Sequence, residues 1–320
     1  MKILVTGGAG FIGSNLVDRL LKAGHNVVAY DNLATGFSEF LTEASASPNF
    51  KFVQNDVLDT AALAQAMKGC DFVFHLSANA DVRFGINFPK RDFDLNTTAC
   101  FSVLEAMRQA GVKRIGFSST GAIYGDASVI PTPENAPFPI QTSLYGAAKL
   151  AGEAMIQAYA AGFGFQGFIF RFVSILGERY HHGHIYDFYK KLCADPTHMD
   201  VLGDGKQKKS YLYIQDCFDA ILIAIEKAQD KVNIFNLGGD ECSDVNQSIG
   251  WICERLNIKP KLTYAGGDRG WVGDSPMVYL DCRRMKALGW KPQTSIRDGV
   301  FRTMEYLVQN PWVVNVDRKR

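Results

Sequence analysis

Tyr145 and Lys149 stand four residues apart in Tyr145-Gly146-Ala147-Ala148-Lys149, a spacing that puts a phenol and an ammonium on one face of a helix. A free tyrosine titrates near ~10, so work as a base near neutral pH needs a fall of about three units, roughly 4 kcal/mol. A neighbouring cation acts in that direction, because it favours the phenolate. Thr120 follows the run Arg114–Ser119, and its hydroxyl could bridge a substrate oxygen and Tyr145. A lone Tyr-x-x-x-Lys recurs by chance and more often marks a surface pair than a site. Its weight here depends on what lies upstream.

Upstream, the strand-like run Lys2–Thr6 passes into Gly7-Gly8-Ala9-Gly10-Phe11-Ile12-Gly13 and then into a helical pattern with Leu16, Leu20 and Leu21. The glycines fit both G-x-x-G-x-x-G (7, 10, 13) and G-x-G-x-x-G (8, 10, 13). Such glycines serve a tight turn, close approach of backbone N–H groups to a pyrophosphate, and close helix–strand packing. The helix N-terminus adds partial positive charge. Asp31 ends the second strand-like run, where a carboxylate binds both ribose hydroxyls and repels a 2′-phosphate. The pattern predicts NAD, with NADP as the alternative and a ligand-free glycine turn as the bland reading.

These residues need a scaffold. Apolar, β-branched runs at Lys2–Thr6, Asn26–Tyr30, Lys51–Gln54, Asp71–Leu76, Arg114–Ser119 and Phe168–Val173 alternate with helical patterns such as Ile12-Leu16-Leu20 and Phe101-Leu104-Met107. That alternation predicts an α/β fold, a doubly wound parallel Rossmann sheet covered on both faces, with a smaller C-terminal α/β substrate-binding region. A helix is expected from Ala147 to Tyr159, a strand–helix pair at Tyr211–Ile214 and Cys217–Ala228, and a strand at Val232–Leu237. Residues 1–173 read as the dinucleotide-binding domain, with 211–237 returning to it, and 174–210 with 238–320 as the substrate-binding region. The prolines 131, 133, 137 and 139 read as a stiff loop rather than a docking segment.

With 320 residues, 47% hydrophobic and 21% charged, the chain can bury a large core. Its net charge of +1, without a block of like charges, gives no footprint for nucleic acid. The short basic tail Asp317-Arg318-Lys319-Arg320 reads as solvated. Seven cysteines, none in C-x-x-C spacing, suggest reduced thiols and a cytoplasmic home. The opening run Ile3-Leu4-Val5 is too short for a signal-peptide core, and no apolar stretch reaches the ~18–20 residues that span a bilayer, so a soluble protein without membrane contact is expected.

Over almost its whole length the chain resembles the extended short-chain dehydrogenase/reductases, specifically the NAD-dependent nucleotide-sugar epimerase/dehydratase group that includes UDP-glucose 4-epimerase-like proteins. The resemblance rests on Thr6–Gly13, Asp31-Asn32-Leu33, His75-Leu76-Ser77-Ala78, Asp81-Val82-Arg83 and Asn96. It continues through Phe117–Thr120, Ile123-Tyr124-Gly125, Tyr145–Lys149, Gly203-Asp204-Gly205, Tyr213, Asp216 and Arg269 to Asp274. It implies that Tyr145 exchanges the proton of a sugar hydroxyl while NAD takes the hydride, that Lys149 holds the nicotinamide ribose, and that Thr120 holds the sugar. Implied cofactor contacts are Gly7, Gly10, Phe11, Ile12, Gly13, Asp31, Asn32, Asp56 and Val57 near the adenosine half, then Leu76, Ser77, Ala78 and Asn96. Implied substrate contacts are Ser174, Lys209, Tyr211, Arg269 and Asp274 beside Thr120. A homodimer packed through helices around Phe101–Met107 and Ala148–Tyr159 is also implied, against a monomer with a thicker core.

The chain departs from the family pattern in places. Ser174 stands near the position of a phosphate-binding Asn, Lys209 where an arginine is usual, and Trp271-Val272 enlarge the motif after Arg269. A lysine is a point charge rather than a bidentate fork, so the diphosphate is expected to be held differently. His181, His182 and His184 lack the spacing of a zinc site and read as a loop, not a metal centre. His75 reads as a packed core residue. A 4-epimerase needs one hydroxyl-active tyrosine, whereas a 4,6-dehydratase needs a further acid and base. Family dehydratases carry Asp and Glu after the threonine, but here Gly121 and Ala122 follow, leaving Glu134 or Glu178 as substitutes. The order of expectation is epimerase, then dehydrogenase or oxidase, then dehydratase, with a non-catalytic NAD-sensing protein last.

Overall fold

Alternate residues of the first strand, β1 (Lys2–Thr6), enter two different cores: Ile3 and Val5 join one, Leu4 the other. A strand apolar on both faces must be sandwiched between helices, and the rest of the sheet follows that rule. In the computed structural model, which describes residues 1–79, 81, 82, 84–137, 140–271 and 273–315, β1 is central. The other strands of this sheet are β2 (Asn26–Asp31), β3 (Phe50–Gln54), β4 (Phe72–His75), β5 (Arg114–Thr120) and β6 (Gln166–Phe172), with Val232–Leu237 beyond β6. All their pairings are parallel, in the order β3-β2-β1-β4-β5-β6 and then Val232–Leu237. The strand order reverses between β1 and β4, which opens the crevice where such sheets bind ligands.

The smaller elements are β7 (Ser174–Leu176), β8 (His198–Val201), β9 (Lys208–Lys209), β10 (Tyr211–Tyr213), β11 (Val232–Leu237), β12 (Ser243–Asp244), β13 (Lys261–Tyr264) and β14 (Met277–Val278). All but β11 form separate pairs and a triplet: β10 beside β7, β13 beside β8, and β12-β9-β14. Of the stretch 211–237, β11 therefore joins the large sheet, whereas β10 pairs with β7, Tyr211 opposite Ser174.

The helix carrying Tyr145 runs Leu144–Phe163, three residues earlier than its apolar period suggests. Ser143 explains the difference: its side chain accepts the Gly146 N–H at 3.0 Å and caps the first turn. Among the described residues no helix is long and apolar enough to cross a membrane. All seven cysteines are free thiols. Arg83, Pro139, Val272 and the tail 317–320, singled out in the sequence, lie outside the described residues.

Candidate active site

The glycine turn shows which glycine does what. Gly7 has φ +67°, and a Cβ there would press on the Ser77 amide nitrogen at 2.7 Å, so the turn lies directly against the Leu76–Ala78 edge. A Cβ on Gly13 would run into the Gly7 carbonyl, whereas one on Gly10 meets nothing nearer than that oxygen at 3.2 Å. Gly13 thus serves packing, and Gly10 keeps an open approach. The helix Phe11–Lys22 starts at Gly10 without a side-chain cap and with no acid in its first turn. Its first N–H groups are left for an anion.

Asp31 ends β2 and holds the turn from the other side, accepting from Ala9 N at 3.0 Å and Leu33 N at 2.8 Å. Asn32 reaches Asp56 at 2.9 Å, which gathers the adenosine-side residues at one sheet edge, with Val57 buried beside them. The Phe11 ring turns inward onto Tyr180, leaving its backbone rather than its side chain toward the crevice. Asn96 is buried, gives its Nδ2 to Asp92, and has an Oδ1 with no partner, a group a bound ligand would satisfy. This cradle fits a dinucleotide.

The catalytic candidates meet where β5 ends. The Thr120 hydroxyl accepts the Ala122 N–H at 3.1 Å, which leaves its own hydrogen to donate, and its hydrogen bond with Tyr145 steadies the phenolate form. Burial is the larger effect and pushes the Tyr145 phenol up to about 12, with a smaller push from Asp92. Lys149 is buried, donates to the Ser118 carbonyl at 2.8 Å and lies 4.8 Å over the Phe117 ring and 5.9 Å over the Tyr145 ring. Burial lowers Lys149 to about 8, against the pull of Cys100, Asp92 and Glu153. It is a cation at neutral pH, set beside the Tyr145 ring. His75 is 1% exposed, contacts Thr6 Oγ1 at 2.9 Å and is pushed down to about 3 by burial and by Lys149, the behaviour of a neutral core imidazole.

The residues expected at the substrate end also come together. Lys209 pairs with Asp274 at 2.6 Å and lies 4.8 Å over Trp271. Arg269 gives both Nη atoms to Asp126, at 3.1 and 2.8 Å, and one to the Asp274 carbonyl at 2.6 Å. This loop packs on Thr142, because a Cβ on Gly273 would press its carbonyl at 2.5 Å, and Ser275 bonds Gly125 O at 3.1 Å. The cations are therefore anchored to the same segments that bear Thr120 and Tyr145. Ser174 and Tyr211 face each other across β7 and β10.

A family model described as the NAD dependent epimerase/dehydratase family matches residues 3–238. The chain belongs to this family. Its cofactor is accordingly NAD. It is 33% identical to a UDP-glucose 4-epimerase of Mycolicibacterium smegmatis, over 96% of this chain and 98% of that one. A crystal structure of a UDP-galactose 4-epimerase superposes with a TM-score of 0.87 at 38% identity, covering 98% of this chain and 100% of the other. A Thermotoga maritima UDP-glucose 4-epimerase solved with UDP-glucose gives a TM-score of 0.88 at 32% identity, covering 97% and 100%.

Within this family the position of the acids discriminates between outcomes. Glu134 accepts the Asn236 N–H at 2.9 Å, and Glu178 accepts from the Tyr213 hydroxyl at 2.6 Å. Glu134 thereby holds β11 and Glu178 holds β10, the second Glu178 oxygen being buried without a partner. The three histidines separate: His181 and His182 pack among Phe37, Phe40, Phe11 and Tyr180, while His184 lies 5.0 Å from the Tyr211 ring. Among the described residues no group of three or more His, Cys, Asp or Glu side chains could hold a metal ion. Sequence reasoning missed Asp126 and the buried pair Arg171–Glu153 behind Tyr145, 2.7 Å apart. A Glu four residues after Lys149 was the available signal, but its partner lies a strand away.

Proposed function

We propose that the protein is an NAD-dependent UDP-sugar 4-epimerase interconverting UDP-glucose and UDP-galactose. The observation that carries this reading is the Tyr145 phenol bonded to Thr120 where β5 ends. Tyr145 stands with Thr120 and Lys149, Gly121 and Ala122 follow, and Glu134 and Glu178 are engaged elsewhere. One tyrosine suffices for removing and returning the proton of one hydroxyl, whereas dehydration needs a second acid and base. The relatives named UDP-glucose and UDP-galactose 4-epimerase support the substrate class.

NAD supplies the acceptor and donor for the C4 hydride. Tyr145 takes the proton of the C4 hydroxyl and returns it to the same oxygen after the keto-sugar has turned its other face to the hydride donor. Thr120 holds that hydroxyl oxygen by a hydrogen bond shared with the phenol. Lys149 orients the nicotinamide ribose and lends positive charge to Tyr145. Gly7, Gly10, Phe11, Ile12 and Gly13 present backbone to the pyrophosphate, Asp31 and Asn32 take the adenosine ribose, and Asp56 and Val57 border the adenine. Leu76, Ser77, Ala78 and Asn96 flank the remaining half. Lys209, Arg269, Ser174, Tyr211 and Asp274 bind the substrate's UDP portion. Exposed Phe101 on one helix and Leu144 and Phe163 on the other support a homodimer packed through the helices around Phe101–Met107 and Ala148–Tyr159. Free thiols support a reducing, cytoplasmic setting.

Turnover of UDP-glucose in deuterated water tests the mechanism. The UDP-galactose formed should carry protium at C4, because the same hydride goes out and back. Deuterium at C4 would rule out internal return.

A further inference from the structure

Glu153 follows Lys149 by one helical turn and Tyr145 by two, so the three side chains share one face of the Leu144–Phe163 helix. Each meets the end of the sheet. Tyr145 bonds Thr120, Lys149 donates to the Ser118 carbonyl, and Glu153 accepts from the Ser119 hydroxyl. Ser119 is directly opposite Arg171 in the β5–β6 register, and Arg171 grips the same carboxylate through Nε at 3.0 and 3.3 Å and Nη2 at 2.7 Å. The guanidinium is fixed on its far side by the Tyr124 hydroxyl at 2.6 Å and the Glu134 carbonyl at 2.8 Å. Tyr124 in turn donates to Asn236 on β11 at 2.9 Å.

We infer that Glu153 is a positioning residue for the Tyr145–Lys149 pair, its carboxylate clamping the helix that carries both to β5 and β6 through Ser119 and Arg171. The inference rests on the Tyr145–Lys149 chemistry proposed above. A buried charge pair is a poor source of stability, since desolvation offsets much of the attraction, but its fixed geometry sets register. Glu153 and Arg171 are 0% and 2% exposed, so water does not screen them. The ionisable groups around Lys149 are Tyr145 and Glu153 on its own helix, Cys100, Asp92 and His75. Burial holds Cys100 up at about 12 and His75 down at about 3, so both are neutral near pH 7. Loss of the Glu153 charge leaves Asp92 as the nearby acid favouring the ammonium, and Lys149 then deprotonates at lower pH.

The test uses NAD-loaded protein with UDP-glucose as substrate and the double variant Glu153→Gln/Arg171→Gln, which removes both charges together. The double variant should keep its NAD and a cooperative thermal transition, lose about 10-fold or more in kcat, and hold KM within about twofold. In the single variant Glu153→Gln, where Arg171 keeps its charge, the alkaline limb of kcat should move down, and the tyrosinate absorbance assigned to Tyr145 (absent in Tyr145→Phe) should rise at higher pH than in wild type. Glu153→Asp, which keeps the charge, should retain the wild-type limb. A folded double variant with wild-type kcat overturns the inference. If the double variant fails to fold, Ser119→Ala decides, because it cuts one rung without stranding a charge. A several-fold lower kcat supports the clamp, and unchanged kcat refutes it. Should Tyr145→Phe itself turn over normally, the catalytic reading and this inference fall together. Loss in Tyr145→Phe with full activity in the double variant removes the inference alone.

Discussion

At the scale of single residues, the proposed chemistry falls to one phenol in an environment that resists its ionisation. Burial sets Tyr145 near 12 in the cofactor-free protein. The opposing forces are the Thr120 hydrogen bond, the Lys149 cation and the positive ring that NAD brings. Tyr145→Phe removes the proton carrier alone and should retain fold and NAD while kcat falls by about 10²–10⁴-fold, measured by steady-state turnover. Near-normal turnover would exclude Tyr145. Lys149 titrates near 8 in this environment, so the ammonium is present below that pH and lost above it. The wild-type rate should accordingly decline on the alkaline side. Arg269→Ala should raise KM about 10-fold with little change in kcat, because a diphosphate contact is made in ground and transition states alike. An unchanged KM would remove Arg269 from the binding set. The spacing of Tyr145 and Lys149 and the acid at Asp31 were legible because each sits in a short local motif. Arg171–Glu153 and Arg269–Asp126 were not, because their partners meet only through the sheet or the loop packing.

At the scale of elements, the turn between β1 and the Phe11–Lys22 helix separates packing from binding. Gly13→Ala would drive a methyl into the Gly7 carbonyl and should lower both thermal stability and NAD content. Gly10→Ala meets only Gly7 O at 3.2 Å and should leave stability within about 1 kcal/mol while weakening NAD binding, read by calorimetry and cofactor retention. Equal effects of the two substitutions would contradict the division of labour. The strands of the large sheet were legible as apolar runs because both faces are buried and no polar alternation breaks them. β9, β12 and β14 are two residues long each, too short to show any period. The start of the catalytic helix was set by the Ser143 cap rather than by apolar spacing, and a cap is a single-residue signal.

At the scale of the whole molecule, a buried neutral histidine ties stability to pH. His75 titrates at about 3 when folded and 6.5 when free in solution, so between those values the unfolded chain holds a proton that the native chain lacks. Stability therefore falls as pH drops below 6.5. By pH 5 the loss from this one group is about 2 kcal/mol. Urea unfolding at pH 7 and pH 5 should show wild type losing about that much more than His75→Gln. Equal losses would mean the imidazole charges freely in the fold. The reversal of strand order between β1 and β4 opens the crevice at the strand ends, and the parallel sheet and the return of β11 to it were legible in the alternation of runs. The small sheets that close over it were not, because they join segments from 174 to 278 through pairings of two to four residues.

The central claim is transient oxidation at C4 with everything retained. Purified protein loaded with NAD is incubated with UDP-glucose, the sugar followed by proton NMR and free NADH by absorbance. The account predicts UDP-galactose of unchanged mass, approaching equilibrium from either sugar, without accumulation of NADH. A keto-sugar with stoichiometric NADH, or a product lighter by one water, would contradict it.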